Sequence, residues 1–186
     1  MSDFQVHNPS TAPEKSQDQL TRISHQFGFI PNLAGILAES PEALKGYFTL
    51  GSIFAQSSFS ATEQQIVLLT SSHLNHCHYC MAAHSTIAES TQVPQDVIEA
   101  LRDGEPIGNA KWEALRQFTA AVVENRGWVD EKKTQDFLDA GYTKADLLNV
   151  ILGVALKTIS NYTNHFADTP VDEPFKKYTW AQPVAS

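Results

Sequence analysis

Both cysteines of the chain fall in one short stretch, Cys77-His78-Tyr79-Cys80-Met81-Ala82-Ala83-His84. On a helix advancing about 100° per residue, positions i, i+3 and i+7 share a stripe. The spacing therefore predicts that Cys77, Cys80 and His84 converge while His78 and Tyr79 turn aside. Paired thiols beside an imidazole suit redox chemistry. The thiolate is the reactive form of cysteine, the imidazole can take its proton, and the second thiol lies close enough to close a disulfide. Two other readings compete. Cys-x2-Cys-x3-His also offers three soft ligands to a structural zinc, with His73 or His76 as a fourth, although such sites usually staple small loop-rich units and this motif lies between long apolar runs. Alternatively the cysteines are small buried residues and nothing more. The placement of the only two cysteines three residues apart favours the redox reading.

The elements that must carry this stretch read as helices. Ser60-x-x-Glu63 is a capping box that starts a helix whose run Ile66-Val67-Leu68-Leu69 is apolar on most sides and so belongs in the core. Asn75-His76 should interrupt it, and the helix bearing the cysteines follows to about Ser90, with both thiols near its positive N-terminal end. Upstream, a helix from about Pro13 stops at Gly28, Pro31 opens a short one, and Ser40-Pro41-Glu42 begins another that ends at Ser57-Ser58. Downstream, Pro94 to Gly104, Asn109 to Asn125 and Asp130 to Gly141 read as three helices with core-spaced apolar residues. Thr143-x-x-Asp146 starts the last and longest, whose apolar residues from Leu147 to Ile159 nearly encircle it. It should be central or lie at a subunit interface. The two boxes with their apolar runs look like a weak internal repeat. His73, His76 and His78 are assigned no catalytic part.

The expectation is an all-α, single-domain protein that forms an oligomer, with a flexible arm over residues 1–12 and a helical domain over 13–186. That domain includes an extended tail from about residue 168. The tail's prolines exclude a continuous helix, yet Phe175, Tyr178 and Trp180 are costly to leave in water and should pack on this chain or on a neighbouring subunit. A chain of 186 residues with net charge −8 and no basic run gives no footprint for nucleic acid or an anionic membrane. No apolar run reaches the ~20 residues of a membrane span, and the polar Met1-Ser2-Asp3 start is unlike a secretion signal. A cytoplasmic location follows as an expectation, and there a cysteine pair is more often catalytic or metal-bound than a structural clamp.

Around the cysteines the sequence resembles a family. Ser60-Ala61-Thr62-Glu63-Gln64-Gln65-Ile66-Val67-Leu68-Leu69, Asn75 and the Cys-x-Tyr-Cys-x3-His core are similar to the alkylhydroperoxidase AhpD-like branch of the carboxymuconolactone decarboxylase superfamily. The likeness extends to Gly28-Phe29-Ile30-Pro31-Asn32-Leu33 and to Asn161-Tyr162-Thr163-Asn164-His165. It implies a thiol-dependent peroxidase acting on hydrogen peroxide or organic hydroperoxides in antioxidant defence. Cys80 would attack, Cys77 resolve the sulfenic acid as a disulfide, and an external dithiol, lipoyl or thioredoxin-like, would reduce it, with no cofactor. The physical signals divide on the attacking thiol: His84 lies one turn from Cys80, whereas the helix N-terminus favours Cys77. The family's peroxidases typically carry a glutamate twelve residues before the first cysteine and often a histidine just before the second. Here those positions are Gln65 and Tyr79, taken as supporting residues, and an amide cannot accept a proton at neutral pH. His84 is then left as the expected base. The alternatives are a non-enzymatic dithiol sensor or disulfide-exchange protein, and a decarboxylase-type enzyme, which the cysteine pair disfavours.

Overall fold

The computed structural model describes residues 4–181. In chain order these form α1 (Glu14–Phe27), α2 (Asn32–Leu37), α3 (Pro41–Ala55), α4 (Ala61–Leu74), α5 (His78–Ser90), α6 (Gln95–Asp103), α7 (Ala110–Glu124), α8 (Glu131–Asp139) and α9 (Lys144–Ala167). A 3₁₀ turn follows over Glu173–Tyr178. Among the described residues there is no strand, and no helix is long and apolar enough to cross a membrane. The all-α expectation holds.

α4 is the axis of the bundle. Ile66, Val67, Leu68 and Leu69 are all buried, and α4 packs on α5, α7 and α9. One side of the core joins α4 to the Phe118, Phe137 and Tyr142 rings of the α7–α8 region. The other side gathers α1, α2 and the first turns of α5, including both cysteines.

The two capping boxes are present, and they brace each other. Ser60 and Glu63 exchange side-chain and backbone bonds at the start of α4, as do Thr143 and Asp146 at the start of α9. Tyr142 Oη donates to Glu63 Oε1 at 2.9 Å, and Ser58 Oγ donates to Asp146 Oδ1. The flanking Phe59 and Tyr142 rings meet edge to face at 6.1 Å. Each cap thus satisfies its own helix and fixes the entry of the other.

The structure makes three expectations more specific. Residues 4–12, read as a loose arm, lie against α2. His7 N donates to Gly35 O at 3.2 Å, and its buried ring bonds Glu39 Oε2 at 2.7 Å. Gly35 permits this approach, since a Cβ there would sit 2.7 Å from His7 O. Residues 1–3 lie outside the described residues. The tail's aromatic residues cover this chain's own core: Phe175, Tyr178 and Trp180 are buried, and Arg102 donates to the carbonyls of Tyr178 and Thr179 at 3.0 and 3.1 Å. The rest of the tail, 182–186, lies outside the described residues. Finally, the encircling hydrophobicity of α9 does not correspond to its burial. Leu148 and Ile151 are 67% and 50% exposed, whereas the buried stripe of its second half is Lys157, Ser160, Asn161 and Asn164.

The pair of caps has a consequence for stability. Burial alone would raise the pKa of Glu63 and of Asp146, but hydrogen bonds from Ser60 and Tyr142 to the one, and from Ser58 and Thr143 to the other, hold both below the usual carboxylate range. A depressed folded-state pKa means that the unfolded chain binds more protons, so this stabilisation is present above the ordinary values of 4.5 and 3.8 and fades as pH falls through the folded-state values. Tyr142→Phe should lower the free energy of urea unfolding at neutral pH by about 1–3 kcal/mol, the range for a lost hydrogen bond to a charged group. Its deficit should narrow in acid.

Candidate active site

The chain turns at the end of α4 to present the thiols. Asn75 caps α4, His76 adopts a left-handed φ of 54°, and Cys77 becomes the N-cap of α5, placing Cys80 in its first turn. The bend is held from α9: Asn75 Nδ2 donates to Asn161 Oδ1 at 2.9 Å, and Asn161 Nδ2 donates to Ser72 Oγ at 3.4 Å. Both thiols are free and buried at 1% exposure.

α9 supplies their polar surroundings. Asn164 Nδ2 reaches Cys80 Sγ at 3.2 Å and Cys77 Sγ at 3.5 Å, and Ser160 Oγ lies 3.7 Å from Cys80 Sγ. Lys157, a fully buried lysine, lies on the same stripe one turn earlier. Burial opposes ionisation of Cys80, but the Cys77 thiol, the Lys157 charge and the Ser160 hydroxyl together outweigh it and bring its pKa well below the ordinary thiol value. Cys77 is pushed the other way, first by donating its proton to Cys80 and then by burial. Burial likewise works against the Lys157 ammonium, and the facing Cys80, Tyr47 and Cys77 more than compensate. These shifts all run in the direction of a thiolate at Cys80, an ammonium at Lys157 and a neutral thiol at Cys77.

His84 joins this pair through Lys157. Its Nε2 lies 2.9 Å from Lys157 Nζ and its Nδ1 lies 3.1 Å from Gln65 Oε1. An ammonium has no lone pair, so Nε2 must accept, Nδ1 must carry the proton, and the Gln65 carbonyl must accept it. Burial and the adjacent Lys157 charge hold His84 well below the ordinary histidine pKa, which keeps it neutral. The two thiols lie together, as their spacing predicts, but the acceptor nitrogen of His84 faces Lys157 and is not bonded to a thiol; its bond to Gln65 is a finding of the structure. The Tyr79 hydroxyl is engaged elsewhere, although the residue also lines an apolar cavity. Its hydroxyl donates to Asp172 Oδ2 at 2.5 Å and accepts from Leu33 N at 3.3 Å, so it ties the tail and α2 to α5. Asp172 in turn receives Asn32 N.

Lys157, Ser160 and Asn164 were not singled out as site residues by sequence reasoning. The signal was present: Lys157 is a lone charge in an apolar helix, and 157, 160, 161 and 164 share one helical stripe. The zinc alternative finds no support, because among the described residues no three His, Cys, Asp or Glu side chains are grouped as a metal would require.

An apolar cavity of about 170 Å³ lies over the site, walled by Phe27, Phe29, Phe48, Ala83 and Ile87, with Tyr47 and His84 as polar groups. The Tyr47 phenol interacts with Ser160 and with Lys157, so the polar side of the cavity leads to Cys80.

Residues 41–124 match the carboxymuconolactone decarboxylase family, a segment from α3 to α7 that holds both cysteines, Gln65 and His84 but not Lys157 or Asn164. No curated protein matches the chain in sequence. Among solved structures, the chain is similar to an alkylhydroperoxidase AhpD core, an uncharacterized peroxidase-related protein of Ralstonia eutropha JMP134. The two share 17% identity over 98% of each chain, with a TM-score of 0.83. It is also similar to a peroxidase-related protein of Silicibacter sp. TM1040, with 16% identity over 96% of this chain and 93% of that one, TM-score 0.78. A third is a cysteine-to-alanine form of the debrominase Bmp8 in complex with 2,3,4-tribromopyrrole, with 16% identity over 96% of each chain and TM-score 0.79. At these identities the likeness establishes a shared AhpD-like fold.

The electrostatics of the site can be tested directly. Lys157→Met keeps the length of the side chain and removes its charge, so the Cys80 pKa should rise. Alkylation by iodoacetamide near neutral pH should slow by about tenfold or more as the thiolate is lost. His84→Ala should have a smaller effect, because it removes only a partner of the lysine. A larger effect of His84→Ala than of Lys157→Met, read from alkylation rate against pH, would return the base role to the histidine.

Proposed function

We propose that this chain, AhpD-like in fold and matching the carboxymuconolactone decarboxylase family over residues 41–124, is a thiol peroxidase for organic hydroperoxides and hydrogen peroxide. The observation that carries this reading is the buried pair of thiols gathered by Asn164 and Ser160 beside the fully buried Lys157. Cys80 attacks the terminal oxygen of the hydroperoxide, the O–O bond breaks, and the leaving alkoxide takes a proton from Lys157 Nζ. The products are an alcohol and a sulfenic acid on Cys80. Lys157, now neutral, takes the Cys77 proton, and the Cys77 sulfur displaces hydroxide from the sulfenic acid to form the Cys77–Cys80 disulfide. The hydroxide recovers the proton as water, and an external dithiol restores both thiols. His84 and Gln65 orient the lysine in this scheme, so no carboxylate is needed at position 65.

The aromatic walls of the cavity favour an apolar leaving group over hydrogen peroxide. A dithiol cycle fits a reducing compartment such as the cytoplasm. The exposed α9 residues Leu148, Ile151 and Tyr162 make a homo-oligomer through that helix part of this reading. Light scattering of the wild type against Leu148→Glu would test it, with a monomer in both cases counting against it.

The function is tested by steady-state consumption of cumene hydroperoxide and of hydrogen peroxide with dithiothreitol as reductant. Turnover should favour cumene hydroperoxide. Cys80→Ser should abolish reaction, and Cys77→Ser mixed with peroxide in the absence of dithiothreitol should consume one equivalent and stop. A wild type that oxidises once without turnover in any dithiol is a redox sensor and not a peroxidase. A second reading is favoured by the aromatic lining of the cavity, the debrominase sharing this fold. It would be a thiol-driven dehalogenation that replaces carbon–bromine by carbon–hydrogen, releases bromide and leaves the same disulfide. Bromide release from 2,3,4-tribromopyrrole, compared with peroxide turnover on the same preparation, separates the two.

A further inference from the structure

The two residues between the cysteines both hold the C-terminal tail. His78 Nδ1 donates to Trp180 O at 3.0 Å, and the two rings meet with centroids 5.4 Å apart. Tyr79 Oη donates to Asp172 Oδ2 at 2.5 Å, and its ring packs edge to face on Phe175 at 6.1 Å. Between these two anchors runs the 3₁₀ turn Glu173–Tyr178. The segment is fastened as well to α2, where Asn32 N donates to the Asp172 carboxylate. At α6, Arg102 donates to the carbonyls of Tyr178 and Thr179, and Trp180 Nε1 donates to Arg102 O at 2.8 Å. Phe175 also meets Phe29 edge to face at 5.7 Å and, with Tyr79, lines the apolar cavity. Residues 172–180 are thus a strap that is tied to the thiol motif and walls the cavity at the same time.

We infer that this strap is linked to the redox state of the thiols: docked while Cys77 and Cys80 are reduced, and loosened when they join as a disulfide. The inference rests only on the disulfide step of the cycle proposed above. In the reduced protein the sulfurs are unbonded and share Asn164 Nδ2, which lies 3.5 Å from Cys77 Sγ and 3.2 Å from Cys80 Sγ. A disulfide draws them to about 2.0 Å, and sulfurs that approach carry their backbone with them. The readiest place to move is the junction before the helix. Cys77 is an extended N-cap at φ −88° and ψ 96°, and His76 before it has φ 54°. His78 and Tyr79 follow that junction directly, so a shift there displaces both anchors. Hydrogen bonds lose strength steeply as they bend. Coupling of this kind is reciprocal: the factor by which the disulfide promotes opening of the strap is the factor by which a loosened strap favours the disulfide. Phe175 moves with the strap, so in the peroxidase cycle the cavity wall loosens once the substrate has reacted.

The test uses full-length protein oxidised with diamide, which takes two electrons and two protons from the thiols as the S–S bond forms and is itself reduced to the hydrazine. Mass spectrometry checks for the disulfide. Hydrogen–deuterium exchange over 172–180 should be about fivefold faster or more in the disulfide form, the lower end of coupling between sites, and dithiothreitol should restore protection. Trypsin cleavage after Lys176 and Lys177 should accelerate in parallel. A Cys77→Ser, Cys80→Ser double variant given the same diamide should show neither change. Reciprocity is read from the disulfide equilibrium in dithiothreitol buffers. Arg102→Ala, which cuts ties of the strap at α6, should shift that equilibrium toward the disulfide by up to the factor seen in exchange. Trp180→Phe removes one bond at α6 and keeps an aromatic ring. It should shift the same way by less, and it decides the matter if Arg102→Ala fails to fold. Equal exchange in the two forms, the same acceleration in the double variant, or an equilibrium that stays put or moves toward the dithiol would overturn the inference. A wild type that turns over hydroperoxide with equal strap protection in both forms overturns this coupling alone. Failure of the peroxide assay alone overturns the peroxidase reading and leaves the coupling standing, and failure of diamide to form the disulfide overturns both.

Discussion

The site depends on one ammonium buried beside one thiolate. Lys157 has no exposed surface, and carrying a charge into such a place costs several kcal/mol unless a counter-charge and hydrogen bonds meet it. The Cys80 sulfur provides the counter-charge and His84 Nε2 accepts one of the ammonium protons. The pair explains the neighbours. His84 must be neutral and protonated on Nδ1 to accept from the lysine, so an uncharged acceptor at Gln65 is sufficient. In the proposed cycle, a proton on Lys157 takes the place of one that a carboxylate would otherwise hold.

Holding that pair requires α9 to run close to the axis of the bundle. Gly153 lies one turn before Lys157, and a Cβ on it would stand 2.7 Å from Val67 and 2.8 Å from Phe54. The absent side chain lets α9 approach α4 and α3, and the polar stripe that follows can then reach the thiols. Asn161 fastens the bend between α4 and α5 from the same stripe. The tail closes the opposite side, with Tyr79 and Asp172 fixing it at α2, and Arg102 and Trp180 fixing it at α6. The thiols are therefore enclosed by segments from both ends of the chain, although their motif is local.

Two thiols three residues apart are chemically unequal here because their surroundings differ. Cys80, in the first turn of α5, faces the donors of α9. Cys77, the N-cap, is pushed toward its neutral form by donating to Cys80 and by burial. The helix terminus, which taken alone favoured Cys77, is outweighed by the nearby full charge of Lys157. A full charge in a low-dielectric site acts more strongly than the partial charges at a helix end.

The sequence by itself determined the helices, because their signals are local. Ser60-x-x-Glu63 and Thr143-x-x-Asp146 cap the helices they were read to cap, Gly28 and Gly104 end theirs in left-handed conformations, and the Asn75-His76 break falls where α4 stops. The nearness of Cys77 to Cys80 was also legible, since it follows from helical spacing, whereas the bond between Gln65 and His84 came from the packing of α4 on α5. What only the tertiary structure decided is which face of α9 turns inward. Its apolar residues nearly encircle it, so hydrophobicity could not choose between burying Leu148 and Ile151 and burying Lys157, Ser160 and Asn164. The outcome depends on the close passage at Gly153 and on the thiolate that makes a buried ammonium affordable. Residues 4–12 and 169–181 have no periodicity to read, and their places follow from a few long-range contacts, among them His7 to Gly35 and Glu39, Tyr79 to Asp172, and Arg102 to Tyr178.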